Sequence, residues 1–337
     1  MITKKIGMFF ISCLLILTIC SGCLFSEKDV IIVETGNGFD SISAAVEQAK
    51  SGETIKVKSG IYEEHINIDK SIVLIGEDKT KTIIDGQGKD DVVMIIGDGV
   101  EMSGFTIRNA GNDTSGEEDA GVDVRSENNV FTDLNFSYNG NYGMFFYQAH
   151  NNSVFGCVFD SNAEGGIYSV DCNGNKFNQC VFTLSERGIF CERNENVSFI
   201  NNSVSQHDVK GMYLYGSKYS VIKDNMFTGN EEGIHVKGST ENEFVSNLIM
   251  GNTIGMEFCC GGSDNLVYRN VFMNNIENHV EGYPINDFDN GEVGNYWDDY
   301  NGTDSDGDGI GDTPYIVNTS TYQVEDNVDH YPLMSPS

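Results

Sequence analysis

Apolar and polar positions repeat along residues 121–275 with a period of 22 or 23 residues, and this stretch contains no proline. Ile, Met or Val follows each of seven regularly spaced glycines, and a mostly apolar position comes two residues later. The glycines are Gly121, Gly143, Gly166, Gly188, Gly211, Gly233 and Gly255. Two further apolar columns keep the same phase, one beginning at Phe131 and the other at Phe136. A period of this length indicates stacked structural units rather than one globular core.

The repeating unit is too short for a pair of helices, and its apolar positions alternate with period two, which favours strands. A leucine-rich repeat has a similar length, but these units contain only five leucines, too few for its fixed positions. The pattern predicts a parallel β-helix with coils about 4.8 Å apart, in which residues of equal phase stack. The phenylalanine columns would fill the interior. Asn202, Asn225, Asn247 and Asn270 share a third phase, where amide side chains can bond from coil to coil.

The residues before the repeat predict a cap and irregular first coils. Asp40 or Ser41 can begin a helix and Gly52 can end it, and the apolar positions between them have helical spacing. Such a helix would cover the open end of the first coil and block edge-to-edge pairing. Short strands are predicted at residues 54–58, 66–68, 72–76, 82–85, 92–96 and 102–107.

Three segments near the N-terminus resemble pectate-lyase-like right-handed β-helix proteins: residues 44–56, 60–62 and 83–86. Within that superfamily the chain is most similar to the NosD-type group, described as carbohydrate-binding and sugar-hydrolase β-helices. The C-terminal segments at 294–300 and 329–333 resemble the tail of archaeal NosD-like surface proteins. The resemblance covers nearly all of the chain after residue 22. It implies an all-β, single-stranded right-handed parallel β-helix, a pectin-lyase-like solenoid with an N-terminal capping helix.

The first residues have the composition of an export signal. Lys4 and Lys5 precede an apolar stretch over residues 6–20, which is too short for a comfortable membrane span. Residues 20–23, Cys-Ser-Gly-Cys, resemble a lipoprotein cleavage site, so Cys23 is predicted to carry a lipid that anchors the protein to the membrane. The alternatives are an ordinary cleaved signal and an uncleaved anchor. We expect an exported protein at the cell surface or in the periplasm.

The pattern divides the chain into four parts. We predict a signal peptide over residues 1–22, a lipidated tether over 23–37, the β-helix with its cap over 38–278, and a C-terminal cap over 279–337. All four prolines lie in that last part, and this shift in composition marks a cap rather than an independent domain.

The chain is strongly acidic, with 51 acidic and 20 basic residues among 337 and a formal net charge of −31. Loss of residues 1–22 would remove two basic and no acidic residues, which gives −33. This charge argues against nucleic acid as a partner and against adsorption to anionic lipid, so we expect no nucleic acid partner. Cys157 and Cys180 share a phase in adjacent coils. A disulfide between them is conceivable, but small inward side chains are the favoured interpretation.

The most specific motif is an acidic loop in the C-terminal part. Carboxylates at alternate positions with a glycine at the sixth, as in residues 304–312, let a loop wrap a hard cation. We predict a structural calcium site that closes the tail over the last coil. Its ligands would be Asp304, Asp306, Asp308, the carbonyl of Ile310 and Asp312. The loop departs from an EF-hand because Tyr315 occupies the twelfth position, and an acidic turn without metal is the alternative.

Residues two and four positions after each repeat glycine are predicted to point outward. They form an aromatic strip of Phe145, Tyr147, Tyr168, Phe190, Tyr213 and Tyr215, with His235 along it. A contiguous exposed apolar patch usually marks a partner, and flat rings suit sugar rings. The strip therefore predicts polysaccharide binding, although aromatic residues also favour strands for structural reasons alone.

A catalytic alternative rests on acidic residues that share a phase. Glu164 and Glu186 lie in successive coils, with Arg187 and Asp208 close by. Glycoside hydrolysis needs two carboxyl groups about 5–9.5 Å apart, which one or two coil steps can supply. These residues would make the protein a polysaccharide lyase or glycoside hydrolase. They match no signature of such enzymes, however, and solvent-facing acids are the simpler interpretation.

The resemblance to NosD-type proteins also implies a role in assembling the copper site of nitrous oxide reductase. Copper prefers clustered Cys, Met and His ligands. The adjacent Cys259 and Cys260 have Met256 nearby but no histidine close in sequence, which disfavours copper. A periplasmic copper-site assembly factor and a purely structural envelope protein remain alternatives to glycan binding.

Overall fold

The computed structural model of the protein describes residues 30–34, 36, 38–113, 118–317 and 327–336. Three long parallel sheets wind around a common core, and the chain forms the predicted right-handed parallel β-helix. The predicted signal and Cys23 lie outside the described residues, so lipidation stays a prediction. No helix in the described part of the chain has the length and apolar character needed to cross a membrane.

Each regular coil contributes one strand to each sheet. Sheet A contains Val30–Val33, Thr54–Val57, Val73–Gly76, Glu101–Ser103, Val130–Thr132, Ser153–Phe155, Lys176–Asn178, Ser198–Ile200, Val221–Lys223, Glu243–Val245 and Leu266–Tyr268. Sheet B contains Gly60–Tyr62, Thr82–Asp85, Thr106–Arg108, Asn135–Ser137, Val158–Asp160, Val181–Thr183, Ser203–Ser205, Met226–Thr228, Leu248–Met250, Val271–Met273 and Tyr296–Trp297. Sheet C contains Ile66–Ile68, Val93–Ile95, Ala120–Val124, Tyr142–Tyr147, Gly165–Val170, Arg187–Glu192, Lys210–Tyr215, Glu232–Lys237, Ile254–Cys259 and Asn278–Gly282.

The solenoid begins inside the range predicted as a tether, because Val30–Val33 pairs in parallel with Thr54–Val57. The capping helix follows over Ile42–Gln48, where the Oγ atom of Ser41 accepts a hydrogen bond from the Ala44 amide at 3.2 Å. The carboxylate of Glu64 accepts hydrogen bonds from two further amides of the first turn, which satisfies donors that a helix start leaves unpaired.

One strand of the first coils was predicted wrongly. The predicted strand over residues 102–107 is two strands in different sheets, Glu101–Ser103 and Thr106–Arg108. Gly104 lies between them with a φ of 78°, a conformation that glycine adopts without strain. The chain therefore bends from sheet A to sheet B where apolar alternation alone indicated one continuous strand.

The phenylalanine columns form ladders in the interior. The ring of Phe159 stacks 4.8 Å from that of Phe136 and 4.7 Å from that of Phe182, and all three side chains are fully buried. The repeat glycines are required by the same close stacking. A Cβ atom on Gly211 would lie 2.5 Å from the carbonyl oxygen of Gly233, which is closer than any side chain allows.

Asparagine ladders run along the turns, as the sequence predicted. The Oδ1 atom of Asn225 accepts hydrogen bonds from both the amide and the Nδ2 group of Asn202 at 2.9 Å, and Asn247 repeats the pattern one coil on. Two further amide ladders, which were not predicted from the sequence, run through Asn230 and Asn252 and through Asn242 and Asn265. Cys157 and Cys180 are buried free thiols, as small inward side chains require.

The C-terminal segment closes the far end of the solenoid. The last strand of sheet C, Asn278–Gly282, continues the stack to just beyond the predicted boundary at 278. Trp297 stacks 4.4 Å from the core ring of Phe272 and 4.4 Å from Tyr315. A two-stranded antiparallel sheet joins Tyr315–Ile316 to Val328–Asp329. The carboxylate of Asp329 accepts a hydrogen bond from the Trp297 indole at 2.8 Å, and burial raises the pKa of Asp329 to about 6.

Candidate functional site

The outer face of sheet C carries a column of rings, one from each successive strand. We call this set the ring column: Phe145, Tyr168, Phe190, Tyr213 and His235. The centroid distance is 4.5 Å between Tyr168 and Phe190 and 4.8 Å between Phe190 and Tyr213. The strand register imposes this spacing, because side chains of equal phase lie one coil apart on the same face.

The prediction that the whole strip is exposed was wrong at both ends of the ring column. Phe145 keeps 5% of its accessible surface and His235 keeps 8%. Phe145 packs with Tyr142 and Val170 in a small apolar cluster that is separate from the main core. The three rings between the ends are half-buried, so they offer edges and partial faces.

Two exposed tyrosines flank the ring column. Tyr147 and Tyr215 are 37% and 39% exposed, and each lies 6.3 Å from a ring of the column. The guanidinium of Arg125 lies 5.1 Å from the ring centroid of Tyr147, and the amino group of Lys237 lies 5.1 Å from that of Tyr215. These cations hold the rings in place through cation–π attraction.

A cleft of about 330 Å³ lies beside Tyr147. Its lining residues are Glu118, Arg125, Phe145, Tyr147, Tyr168, Val170, Glu192 and Arg193. Arg125 forms a two-point ion pair with the buried carboxylate of Asp123, with N–O distances of 2.9 and 3.0 Å. The cleft therefore combines an aromatic wall with fixed charges of both signs.

The floor of the cleft is held by a second hydrogen-bonded group. The hydroxyl of Tyr168 donates to Glu192 at 2.7 Å, and burial together with this carboxylate raises the pKa of Tyr168. Arg193 binds Glu192 and also binds Asp171 through two contacts of 2.7 and 3.0 Å. Glu192, Arg193 and Asp171 each have a partner, so this part of the wall is preorganised.

The predicted acid cluster is only partly assembled. The guanidinium of Arg187 lies 2.6 Å from a carboxylate oxygen of Glu186 and 3.4 Å from one of Glu164. Asp208 is exposed at a turn, and its backbone amide bonds to the carbonyl of Ser185. The structure thus brings three of the four predicted residues together as a partly exposed ion-pair group.

A charged network that was not predicted from the sequence surrounds His235. The Nδ1 atom of His235 lies 2.6 Å from the carboxylate of Glu232 and 3.1 Å from that of Glu257. Lys210 also binds Glu232, at 2.5 Å. Burial opposes the charged imidazole, but the hydrogen bonds to the two carboxylates outweigh it and raise the pKa of His235. The only signal in the sequence was the equal phase of His235 and Glu257.

The same imidazole reaches the end of the neighbouring strand. Its Nε2 atom lies 3.3 Å from the Sγ atom of Cys259. The two residues lie 24 positions apart in sequence, yet they are diagonal neighbours on adjacent parallel strands. No histidine is close to Cys259 and Cys260 along the sequence, but the fold places His235 next to Cys259.

Residues 80–302 match the family described as "Periplasmic copper-binding protein (NosD)". The chain belongs to the NosD family. The matched range contains all of the ring column and the cleft, which confirms the resemblance drawn from the sequence.

The fold of this NosD chain is similar to several solved structures. An alginate lyase from Paenibacillus sp. str. FPU-7 has a TM-score of 0.61 at 12% identity, over 73% of this chain and 96% of that chain. ORF18 of Geobacillus virus E2 has a TM-score of 0.52 at 18% identity, over 80% of this chain and 59% of that chain. The pectate lyase Pel9A has a TM-score of 0.50 at 15% identity, over 79% and 74% of the two chains. At such identities the likeness concerns the fold.

One curated relative also matches the NosD chain in sequence. Pectinesterase 3 of Citrus sinensis is 30% identical over 98 residues, which covers 24% of this chain. The chain spans only 17% of that relative's length, so the match describes a shared segment.

Three groups of side chains in the described part of the NosD chain bring three metal-ligating atoms within 4.8 Å of one another. They are His235 with Glu257 and Cys259, His279 with Asp298 and Asp299, and Asp304 with Asp306 and Asp308. The second and third groups are rich in carboxylate oxygen, which suits hard cations. Only the first joins sulfur to imidazole, the donors that copper prefers, so the donor chemistry of this group fits the family's description.

The acidic loop of the NosD chain has part of the predicted calcium geometry. The carboxylates of Asp304, Asp306 and Asp308 converge, and Asp304 accepts hydrogen bonds from two glycine amides of the loop at 2.7 and 3.0 Å. Asp312 instead accepts from the amide and hydroxyl of Ser305 at 2.9 and 2.6 Å. Ile310 forms a bridge with Leu333, which ties the loop to the folded tail.

The remaining group lies where the tail of the NosD chain returns to the solenoid. The Nε2 atom of His279 lies 2.9 Å from the carboxylate of Asp298 and 3.6 Å from that of Asp299. These residues line a cavity of about 350 Å³ together with Trp297 and Tyr315. This group was not predictable from the sequence, because the contact depends on how the tail folds back.

Proposed function

We propose that this NosD protein binds polysaccharide along the ring column of sheet C, with Tyr147 and Tyr215 as its principal contacts. The observation that carries the proposal is the coil-to-coil stack of rings, with the exposed Tyr147 beside Phe145 and the exposed Tyr215 beside Tyr213. Contiguous aromatic surface with a few fixed polar groups is typical of ligand sites. Ring faces would pack on sugar faces, while Glu192, Arg193 and Lys237 would bond to hydroxyl groups.

The names of similar proteins support a carbohydrate ligand. The structures of similar fold include an alginate lyase and a pectate lyase, and the relative in sequence is a pectinesterase. Each name describes an enzyme that acts on a polysaccharide. The family's description as periplasmic and the predicted export signal support a location outside the cytoplasm, where such polymers occur.

Binding is favoured over cleavage by the state of the acidic residues. Both carboxylates of the predicted catalytic pair, Glu164 and Glu186, contact the single guanidinium of Arg187, and the exposed Asp208 does not join them through any contact found among the described residues. General acid–base catalysis needs groups that can exchange protons with a substrate held between them. The ring column has no comparable pair of unpartnered acids in the described chain.

A glycan array followed by affinity electrophoresis tests the proposal. The array should contain neutral polysaccharides and uronate polymers, because the net charge of −31 disfavours polyanions whereas the similar structures act on them. We expect Tyr147→Ala and Tyr215→Ala each to weaken binding about tenfold, because that is the change in affinity that the loss of one aromatic contact causes. Phe155→Ala is the matched control, because Phe155 is 44% exposed on sheet A.

Two outcomes would contradict the proposal. One is the absence of binding to every glycan on the array. The other is an equal loss of affinity in the Phe155→Ala control. Release of reducing ends or unsaturated sugars that Glu186→Gln abolishes would instead establish the catalytic alternative.

A further inference from the structure

The cations in the cleft beside Tyr147 are already bound by carboxylates of the protein. Arg125 donates to Asp123 from Nε and Nη2 at 3.0 and 2.9 Å. Arg193 donates to both oxygens of Asp171 at 2.7 and 3.0 Å. An acidic sugar that entered the cleft would therefore meet guanidinium groups whose charge is already neutralised.

Carboxylates outnumber cations around this cleft. Glu118 and Glu192 line it, and the carboxylates of Asp123 and Asp171 bind its two guanidinium groups. There are thus four carboxylates for two guanidinium groups. Such a site attracts a ligand with positive charge and repels a polyanion.

The two acids that line the cleft differ in their contacts. Glu192 accepts a hydrogen bond from Tyr168 and also binds Arg193. No hydrogen bond or ion pair joins the carboxylate of Glu118 to any residue in the described ranges. Glu118 is half-buried, and this burial together with nearby acids, of which Glu164 has the largest effect, raises the pKa of Glu118. A cation bound at Glu118 would offset the repulsion among these acids.

Rings on the same face of sheet C already attract cations of the protein itself. Three tyrosines each have a cationic side chain near the ring. The pairs are Tyr147 with Arg125, Tyr213 with Lys210, and Tyr215 with Lys237, at 5.1, 5.7 and 5.1 Å from the ring centroid. A tyrosine ring attracts a cation through the negative charge of its face. The rings and the carboxylates therefore favour the same sign of ligand.

We infer that the polysaccharide bound by this NosD protein carries free amino groups, as a polymer of 2-amino-2-deoxy sugars does. The inference rests on the proposed binding along the ring column and adds the chemical class of the ligand. A sugar ring would pack on Tyr147, and its protonated amine would form a charge-assisted hydrogen bond with Glu118. Both residues line the same cleft of about 330 Å³, a size typical of small-ligand sites.

Titration calorimetry with two oligosaccharides of equal length and linkage tests this inference. One is the hexamer of glucosamine, and the other is the same hexamer with every amine acetylated, which removes the positive charge and keeps the sugar rings. We expect the amine form to bind at least about tenfold more tightly, the effect of one hydrogen bond to a charged group. Added salt should reduce this preference because it screens exposed charges. A hexamer of galacturonate should bind more weakly than either.

Glu118→Gln should reduce the preference for the amine form about three- to tenfold, because it removes the charge and keeps the size of the side chain. Asp224→Asn is the matched control. It also removes one negative charge, but from an exposed turn between Val221–Lys223 of sheet A and Met226–Thr228 of sheet B. Its preference should equal that of the unmodified protein. Thermal unfolding of both variants checks that the fold is intact.

The outcomes separate this inference from the proposed function. Equal affinity for the amine and acetylated hexamers, or tighter binding of the galacturonate, would overturn the amine class and leave polysaccharide binding in place. An unchanged preference in Glu118→Gln would overturn the role of Glu118 in recognising the amine. Absence of binding to all three hexamers and to every glycan on the array would overturn both proposals.

Discussion

At the scale of single residues, buried amides connect one coil to the next. Asn225 is 2% exposed and takes part in hydrogen bonds on both sides. It accepts from the backbone and side chain of Asn202, and it donates to the carbonyl of Phe199 and to Asn247. Since each amide serves two neighbours, removal of one leaves polar groups of both coils without partners.

Asn225→Ala should lower the free energy of unfolding by about 3 kcal/mol, because buried donors left unpaired cost about 1–3 kcal/mol each. Denaturant titration followed by circular dichroism measures the change. Asn173→Ala serves as the control, since Asn173 is exposed at a turn, and its loss should be within about 0.5 kcal/mol. Equal losses in the two variants would refute the structural role of the ladder.

The sequence predicted the phase of this ladder because the period is regular, but it did not predict the exposure of individual rings. Whether Phe145 is covered depends on Tyr142 and Val170, which lie at other phases. The contact between His235 and Cys259 was missed for a related reason. It is diagonal across two strands, and the repeat pattern compares only residues of equal phase.

At the scale of elements, the acidic loop and the tail form one unit. The loop is tied to the last segment by the bridge between Ile310 and Leu333 and by the amide of Gly311, which donates to the carbonyl of Pro332. A cation that draws Asp304, Asp306 and Asp308 together would therefore also fix the segment that closes the solenoid. The acidic motif was predictable from the spacing of its carboxylates. The hydrogen bond from Ser305 to Asp312 was not predictable, because it depends on the local turn.

Calcium at about 100 times its dissociation constant should stabilise the protein by about 2.7 kcal/mol, because binding to the folded state alone adds to its stability. The measurement is the Tm in calcium and in a chelator. Asp306→Asn with Asp308→Asn should abolish the difference, while Asp224→Asn, an exposed control, should keep it. If the double variant kept the full calcium-dependent increase in Tm, the ion would bind at another site, for instance at His279, Asp298 and Asp299.

At the scale of the whole molecule, the stack is modular. Each regular coil contacts its two neighbours through the same register in all three sheets, so stability is approximately a sum over coils and interfaces. The fold class could be predicted because the sequence repeats with the same period as the coils. The start of the solenoid at Val30 could not, because the first strand has no repeat glycine and is recognised only by its pairing with Thr54–Val57.

Deletion of residues 211–232, one complete period, should leave a folded protein. Lys210 would then directly precede Gly233. In the intact protein Lys210 pairs with Glu232 of the next coil, so Lys210 would take the position of Glu232 and every ladder would keep its phase. We expect a cooperative thermal transition with a Tm lower by about 5 °C. Deletion of residues 211–221 should prevent cooperative folding, since half a period places apolar positions outside. Unfolding of both variants would show that the coils are not interchangeable.

The closure of the far end by the tail has a consequence for biogenesis. During synthesis a chain emerges from the ribosome with its N-terminus first, and a solenoid can add coils in that order as they appear. The stack cannot finish until Asp329 has reached the indole of Trp297 and the amide of Asn295. Until then the newest coil is an unprotected template for any strand nearby. A ribosome that stops early would therefore release a protein that is almost entirely folded and able to polymerise end to end.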